Sequence, residues 1–353
     1  MAHTIKIAAA QLGPNHLTSR REDVVDRMLR LLHEAASYGA QFVLFPELAF
    51  VTFFPRYVLT PEELEPFFEH GDLLTSPTTA AFFSEARRLS VDVSLGFAER
   101  TPEGEGFNTS IYYSASTHSI LSKYRKIHLP GFVDPLPDPN AINQLEKKYF
   151  QPGNLGFTAF RAPALVGITT EHSDSTKVPR SSSEREAMRG DPIFGMIICN
   201  DRRWPEAWRC LALQGTEVVF CGYNTQGYCP ELAGTSPHKP QTKAEAEAAA
   251  LVDHLLVMQS NCYMNSVFGV CAAKAGLEDG NFDLIGGSSI IDPKGKILAM
   301  TETRGDEVIV ADCDLDEVKY GRSAIFDFDR HRRVEAYALI TGQTGVVEPP
   351  FLR

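Results

Sequence analysis

The chain has 353 residues, 43% of them hydrophobic, enough to bury a large core, and no apolar run reaches membrane-spanning length. A formal net charge of −11 argues against a nucleic-acid or anionic-membrane surface, since both rest on an excess of Lys and Arg, and leaves a small molecule as the expected partner. Seven cysteines without a C-x-x-C pair, ten histidines without H-E-x-x-H, and a start lacking a charged leader with a long apolar segment point to a reduced cytoplasmic protein with no disulfide framework, no metal and no cofactor.

Ile5 to Gln11 reads as a first strand. A helix follows, with Ser19-Arg-Arg-Glu22 as a capping box, Val24, Met28, Leu31 and Ala35 on one face, and Gly39 at its close. Gln41-Phe-Val-Leu-Phe-Pro-Glu47 is a buried apolar strand that ends in a carboxylate. Thr78 to Leu89 is a second amphipathic helix, and Val91 to Ala98 the strand after it. Asn108 to Ser114 and Ser119 to Ser122 then read as antiparallel neighbours, and Lys126 follows the second of them. Pro130 to Asn143 is an irregular loop rich in Pro and Asp, with Glu146 just beyond it.

Val166 to Gly190 is polar, has no periodic apolar face and reads as a surface insertion. Gly195 to Ile198 is a short buried strand that stops at Cys199. Asn200 and Asp201 can cap the helix carrying Trp204, Trp208, Leu211 and Ala212, which would put the thiol where a helix N-terminus favours a thiolate. Glu217 to Cys221 is a strand that delivers Asn224 and Thr225. Lys243 to Gln259 is a helix, Val267 to Ala273 a strand, Ile285 to Ile291 and Lys296 to Met300 a hairpin, and Glu307 to Asp312 a last strand. Helix-separated strands mixed with hairpins predict an α/β fold with mixed sheets.

Each reactive residue has a plain structural reading when taken alone. Cys199 could be a buried strand cysteine, Glu47 a solvated strand-end carboxylate, and Lys126 a surface lysine beside Lys123 and Arg125. Their joint order changes that. Phe45-Pro46-Glu47, Tyr124-Arg125-Lys126 and Cys199-Asn200-Asp201 resemble the nitrilase (carbon–nitrogen hydrolase) superfamily over about Ile5 to Arg333. Within it, Thr52-Phe-Phe-Pro-Arg56, Lys126-Ile-His-Leu-Pro-Gly131, Leu145-Glu-Lys-Lys-Tyr-Phe150 and Cys199-Asn-Asp-Arg-Arg-Trp-Pro-Glu-Ala-Trp-Arg209 resemble N-carbamoyl-D-amino-acid hydrolases.

That resemblance implies a four-layer α-β-β-α sandwich over residues 1–317, a C-terminal arm over 318–353 that packs on a neighbouring subunit, and a homodimer or homotetramer. It also implies hydrolysis of N-carbamoyl-D-amino acids through a carbamoyl-enzyme, with β-ureidopropionase, aliphatic amidase and nitrilase chemistry as open alternatives. Cys199 would be the nucleophile, Glu47 the proton carrier, Lys126 the oxyanion donor, and Glu146 a second glutamate that orients Lys126 or shares proton transfer. Arg202 and Arg203 would clamp the substrate carboxylate, because a guanidinium fork matches it, while Asn224, Thr225 and His128 would border the substrate. Two departures, Phe132 and Gln144, stand where the bacterial carbamoylase pattern carries histidines.

Overall fold

The computed structural model describes residues 3–138, 141–165, 190–229 and 241–351; apart from Gly190, the insertion expected at 166–190 lies outside the described residues. The strands run in chain order as β1 (Thr4–Gln11), β2 (Phe42–Leu44), β3 (Phe68–His70), β4 (Asp92–Arg100), β5 (Gly106–Ser114), β6 (Ser119–Arg125), β7 (Ala159–Arg161) and β8 (Ile193–Ile198). There follow β9 (Val218–Tyr223), β10 (Phe268–Ala273), β11 (Ala275–Glu278), β12 (Phe282–Ile285), β13 (Ser289–Ile291), β14 (Ile297–Met300) and β15 (Glu307–Asp314). The principal helices are α1 (Arg21–Ser37), α2 (Ala80–Leu89), α3 (Pro205–Ala212), α4 (Lys243–Asn265) and α5 (Asp316–Ala324).

Two mixed sheets form, ordered β15-β1-β2-β4-β5-β6, with β3 also on β4, and β14-β13-β10-β9-β8-β7. Period-two alternation builds the layers. Ile5, Ile7 and Ala9 of β1, with Phe42 and Leu44 of β2, face the second sheet, whereas Ala8, Ala10 and Val43 face the buried side of α1 and α2. Phe42 stacks on Phe220 across the sheets with ring centroids 4.3 Å apart. Trp208 and Leu211 of α3, with Met258 and Cys262 of α4, cover the far side of the second sheet. The result is the four-layer α-β-β-α arrangement. Each large apolar side chain fully buried on α1, such as Met28 or Leu32, contributes roughly 1.5–3 kcal/mol to holding its layer.

Three local expectations need correction. Helix α1 has no capping box: its N-cap is Arg20, without a side-chain bond, and Ser19 Oγ instead accepts the His16 N–H at 2.9 Å, closing a turn before the helix starts. The run Ile285 to Ile291 is not one strand. Gly286 and Gly287, with φ of 65° and 80°, break it, so β12 pairs with β11 while β13 joins the second sheet. The hairpin β11–β12 turns at Asp279 and Gly280, both at positive φ, a turn signal that sequence reading missed. The third concerns the thiol and is taken up below.

Beyond β15 the chain stays with its own body as far as Phe328, where Arg209 sits 4.3 Å over the ring. Leu339, Val346 and Phe351 farther along are 72%, 93% and 95% exposed. Among the described residues, no helix is long and apolar enough to cross a membrane.

Candidate active site

Four strand ends from both sheets meet at one point. After β2, the Pro46 carbonyl accepts the Gly96 N–H at 3.0 Å, and Glu47 follows, fully buried, with Leu48 in the left-handed region at φ 48°. A Cβ on Gly96 of β4 would lie 2.7 Å from Glu47 Cα, and one on Gly222 of β9 would lie 2.7 Å from Glu47 N. Glycine at those two positions lets both sheets press on the Glu47 backbone. Along β6, Lys123 and Arg125 point outward to share Glu99, at 2.7 and 2.9 Å, so alternation sends Lys126 inward, where it is buried.

The Lys126 ammonium donates to Glu47 Oε1 at 2.7 Å and to Glu146 Oε2 at 2.6 Å. That uses two of its three N–H groups and leaves one for an incoming oxyanion. Asn108 Nδ2 spans the same two carboxylates, at 2.7 Å from Glu47 Oε1 and 3.3 Å from Glu146 Oε2. Gln144 Nε2 donates to the other Glu146 oxygen at 2.8 Å. On the opposite side, Asn224 donates its N–H and Nδ2 to Glu47 Oε2 at 3.0 and 3.1 Å, and its carbonyl accepts the Cys199 thiol at 3.3 Å. Asn224 is therefore the crosspiece between carboxylate and sulfur.

Cys199 sits at φ 46°, a strained conformation for a residue with a side chain, of the kind found at functional turns. It opens the 3-10 turn Cys199–Arg203, and α3 starts only at Pro205, with Trp204 as an N-cap that makes no side-chain bond. The expected helix cap by Asn200 and Asp201 is thus absent. Asp201 instead accepts from Tyr124 Oη at 2.7 Å and from the Ile198 and His128 N–H groups at 3.0 and 2.9 Å, and pairs with His128 Nδ1 at 2.8 Å. These bonds hold the turn from below.

Nor is the resting thiol favoured as a thiolate. Burial first, and then the Glu47 carboxylate, push it up to about 11, against the opposing pull of Lys126 and Arg202. Lys126 is pulled down by its own burial, but the sulfur of Cys199 and the carboxylates of Glu146 and Glu47 outweigh this and hold the ammonium well above its ordinary range. Burial raises Glu146 to about 7, with Lys126 opposing and Glu47 adding to the rise. The site therefore pairs a buried thiol with a buried ammonium and two buried carboxylates.

The expected substrate-facing residues divide into distinct environments. Arg202 is buried beneath the sulfur, with Nη1 3.8 Å from Sγ, and all three of its nitrogens donate to protein: Nε to His254 Nδ1, Nη1 to the Cys199 carbonyl and Nη2 to Thr225 Oγ1, at 3.1, 2.7 and 2.8 Å. Arg203 is exposed and donates to Asn200 Oδ1 at 3.2 Å. His128 is clamped on Asp201, with its ring stacked on Trp204 at 4.9 Å. Among the described residues, no group of three or more His, Cys, Asp or Glu side chains is placed to hold a metal ion.

The family model described as carbon-nitrogen hydrolase matches residues 6–323, nearly the whole described body. The chain belongs to that family. This carbon-nitrogen hydrolase is 26% identical over 343 residues to N-carbamoylputrescine amidase of Oryza sativa subsp. japonica, covering 95% of this chain and 94% of the relative. It is 26% identical over 339 residues to citrullinase of Francisella tularensis, covering 94% and 96%. Its fold matches that of a carbon-nitrogen hydrolase from Helicobacter pylori G27 with a TM-score of 0.73 at 20% identity, over 97% of this chain and 99% of the other. As a member of this family the protein belongs with the hydrolases of non-peptide carbon–nitrogen bonds.

Sequence reading missed Asn108, Asp201 as a hub, and the contact of Gln144 with Glu146. A polar Asn at the buried start of β5 was a usable signal for the first. Nothing local signalled the other two.

Proposed function

We propose that the protein hydrolyses N-carbamoyl-D-amino acids to D-amino acid, carbon dioxide and ammonia. The observation that carries this reading is the buried set Glu47, Lys126, Glu146 and Cys199, joined through Asn224 and Asn108. The carbamoyl class is supported by the relatives named above, and the acid end by the motif strings around Cys199 and Arg56. The Cys199 sulfur attacks the carbamoyl carbon as its proton passes to Glu47. Lys126 and a backbone N–H beyond Cys199 stabilise the oxyanion. Collapse breaks the C–N bond, and Glu47 returns the proton to the leaving nitrogen. Water then attacks the carbamoyl thioester, giving its proton to Glu47, and the C–S bond breaks to regenerate the thiol and release the acyl product. If the amino acid leaves first, the carbamate formed falls to carbon dioxide and ammonia; if ammonia leaves first, the N-carboxy amino acid formed falls to carbon dioxide and the D-amino acid.

Glu146, bonded to Lys126 and able to gain a proton near neutrality, orients the ammonium and tunes its charge. Arg202 braces the thiol turn and adds positive potential beside the reacting carbon. Thr225, Asn224, His128 and Arg203 border the substrate. The exposed apolar residues of the arm, Leu339, Ile340, Val346 and Phe351, support its packing on a second copy in a homodimer or homotetramer.

Ammonia release from N-carbamoyl-D-phenylalanine, its L enantiomer, β-ureidopropionate and N-carbamoylputrescine tests the reading. The D acid is expected to be turned over fastest. Rapid turnover of N-carbamoylputrescine with none of either carbamoyl amino acid would overturn it.

A further inference from the structure

Arg202 is buried, and among the described residues no carboxylate pairs with it, whereas the Lys126 ammonium, also buried, has two. Its backbone is fixed from behind: the carbonyl accepts from Trp208 Nε1 at 3.1 Å and from Asn261 Nδ2 at 3.2 Å, which ties the turn after Cys199 to α3 and α4. Its side chain meets three acceptors, the His254 imidazole, the Cys199 carbonyl and the Thr225 hydroxyl, and none of them carries a negative charge. The guanidinium is thus held on every nitrogen while its charge stays whole.

His254 of α4 has no part in the chemistry above. It is 2% exposed, and its ring stacks on Tyr223 with centroids 4.4 Å apart, while the Arg202 guanidinium lies 4.5 Å from the centre of the same ring. Tyr223 is itself anchored, donating its Oη to the Gly286 carbonyl at 2.5 Å. Because Arg202 Nε can only donate, His254 Nδ1, 3.1 Å away, must accept, so the imidazole is neutral with its hydrogen on Nε2. That Nε2 is buried and has no hydrogen-bond partner among the described residues. Burial first, and then the Arg202 and Arg203 cations, hold His254 well below its ordinary value, against a weaker opposing pull from the Gly287 backbone.

The choice of acceptor has a consequence at the nucleophile. Nε uses its only N–H on His254, whereas Nη1 and Nη2 each carry two; Nη1 lies 3.8 Å from Cys199 Sγ, and Nη2 reaches Thr225, the neighbour of Asn224. A carboxylate at position 254 would pin Nε as well but would cancel the cation. An apolar residue there would leave the cation but free Nε, and the fork could turn away from the sulfur.

We infer that His254 is a positioning residue, a neutral acceptor that fixes the Arg202 fork beside the nucleophile and leaves its full charge to face the substrate carboxylate. The inference rests on the proposed acid-substrate reading, with Arg202 as an acid contact.

The test is the ratio of kcat/KM for N-carbamoyl-D-phenylalanine to that for phenethylurea, which has a hydrogen in place of the carboxylate, in wild type, His254→Asn and His254→Asp. Taking the ratio within each protein removes differences in the folded fraction. The wild-type ratio is expected to be about 100 or more. His254→Asn, whose Oδ1 replaces Nδ1 as a neutral acceptor, is expected to keep it within about 3-fold. His254→Asp, equal in shape but charged, is expected to lower it about 10-fold or more through KM for the acid. Should the aspartate variant not fold, His254→Leu, which has no acceptor, takes its place with the same expected loss. An asparagine ratio no higher than that of the aspartate variant, or of the leucine variant where aspartate does not fold, overturns the assignment while the acid-substrate reading stands. A wild type with no preference for the acid overturns both.

Discussion

Replacement of Cys199 by alanine is expected to lower kcat on carbamoyl substrates by on the order of 10⁵-fold or more, with the melting temperature nearly unchanged. The magnitude follows from the site's dependence on one nucleophile: Glu47 and Lys126 remain, but no atom is left to carry the carbamoyl group. The fold is spared because the sulfur gives up only weak bonds, to the Asn224 carbonyl at 3.3 Å and from Arg202 Nη1 at 3.8 Å, and the exchange loses a single buried sulfur. Ammonia release measured beside a thermal melt checks both halves. A variant that keeps more than about a hundredth of wild-type activity would place the nucleophile elsewhere, since the covalent step is expected to dominate rate acceleration.

Lys126→Met is expected to affect both stability and rate. It removes the cation that lies 2.7 Å from Glu47 and 2.6 Å from Glu146, and leaves two carboxylates with no exposed surface facing each other. Breaking a buried ion pair by deleting one partner costs about 3–5 kcal/mol, and loss of an oxyanion donor costs about 10²–10³-fold in kcat. The pH dependence of stability changes shape. In the wild type, the Lys126 contribution is fully present below about 10.5, its ordinary value, and is lost only as pH rises through the higher folded value, so it stays constant across neutral pH. In the variant the folded carboxylates bind protons more tightly than the unfolded ones. Stability is then greatest below the usual carboxylate range and falls as pH rises through neutrality. Chemical denaturation at pH 5 and pH 8 measures the difference. A variant equally stable at both would show that Lys126 does not neutralise the pair.

Sequence pattern made the strands of the mixed sheets legible because burial leaves a periodic trace, whereas their stacking into four layers was legible only through the family resemblance. Ile5, Ile7 and Ala9 against Ala8 and Ala10 declare a strand covered on both sides, and Phe42 to Leu44 reads the same way. Cys199, Glu47 and Lys126 were legible only through their family strings, since 79 positions separate Glu47 from Lys126 and 177 separate it from Asn224. No local rule brings such positions together. Where reading relied on local chemistry it failed in a consistent manner. Ser19, Asn200 and Asp201 are good helix caps by type, yet Ser19 serves a turn and Asp201 serves Tyr124 and His128, because a buried carboxylate takes the nearest donors whatever its local preference. Gln144 was visible only as a departure from a motif. Its bond to Glu146 makes that departure part of the site.

The account stands on covalent transfer of the carbamoyl group to one sulfur. Rapid quenching of the enzyme during turnover of N-carbamoyl-D-phenylalanine, followed by proteolysis and mass spectrometry, measures this directly. A carbamoyl group that appears on the Cys199 peptide, decays as substrate is exhausted and never forms in Cys199→Ala is the predicted result. Substrate consumed at the full rate with Cys199 unmodified at every time point, or the adduct found only on another of the seven cysteines, would contradict it.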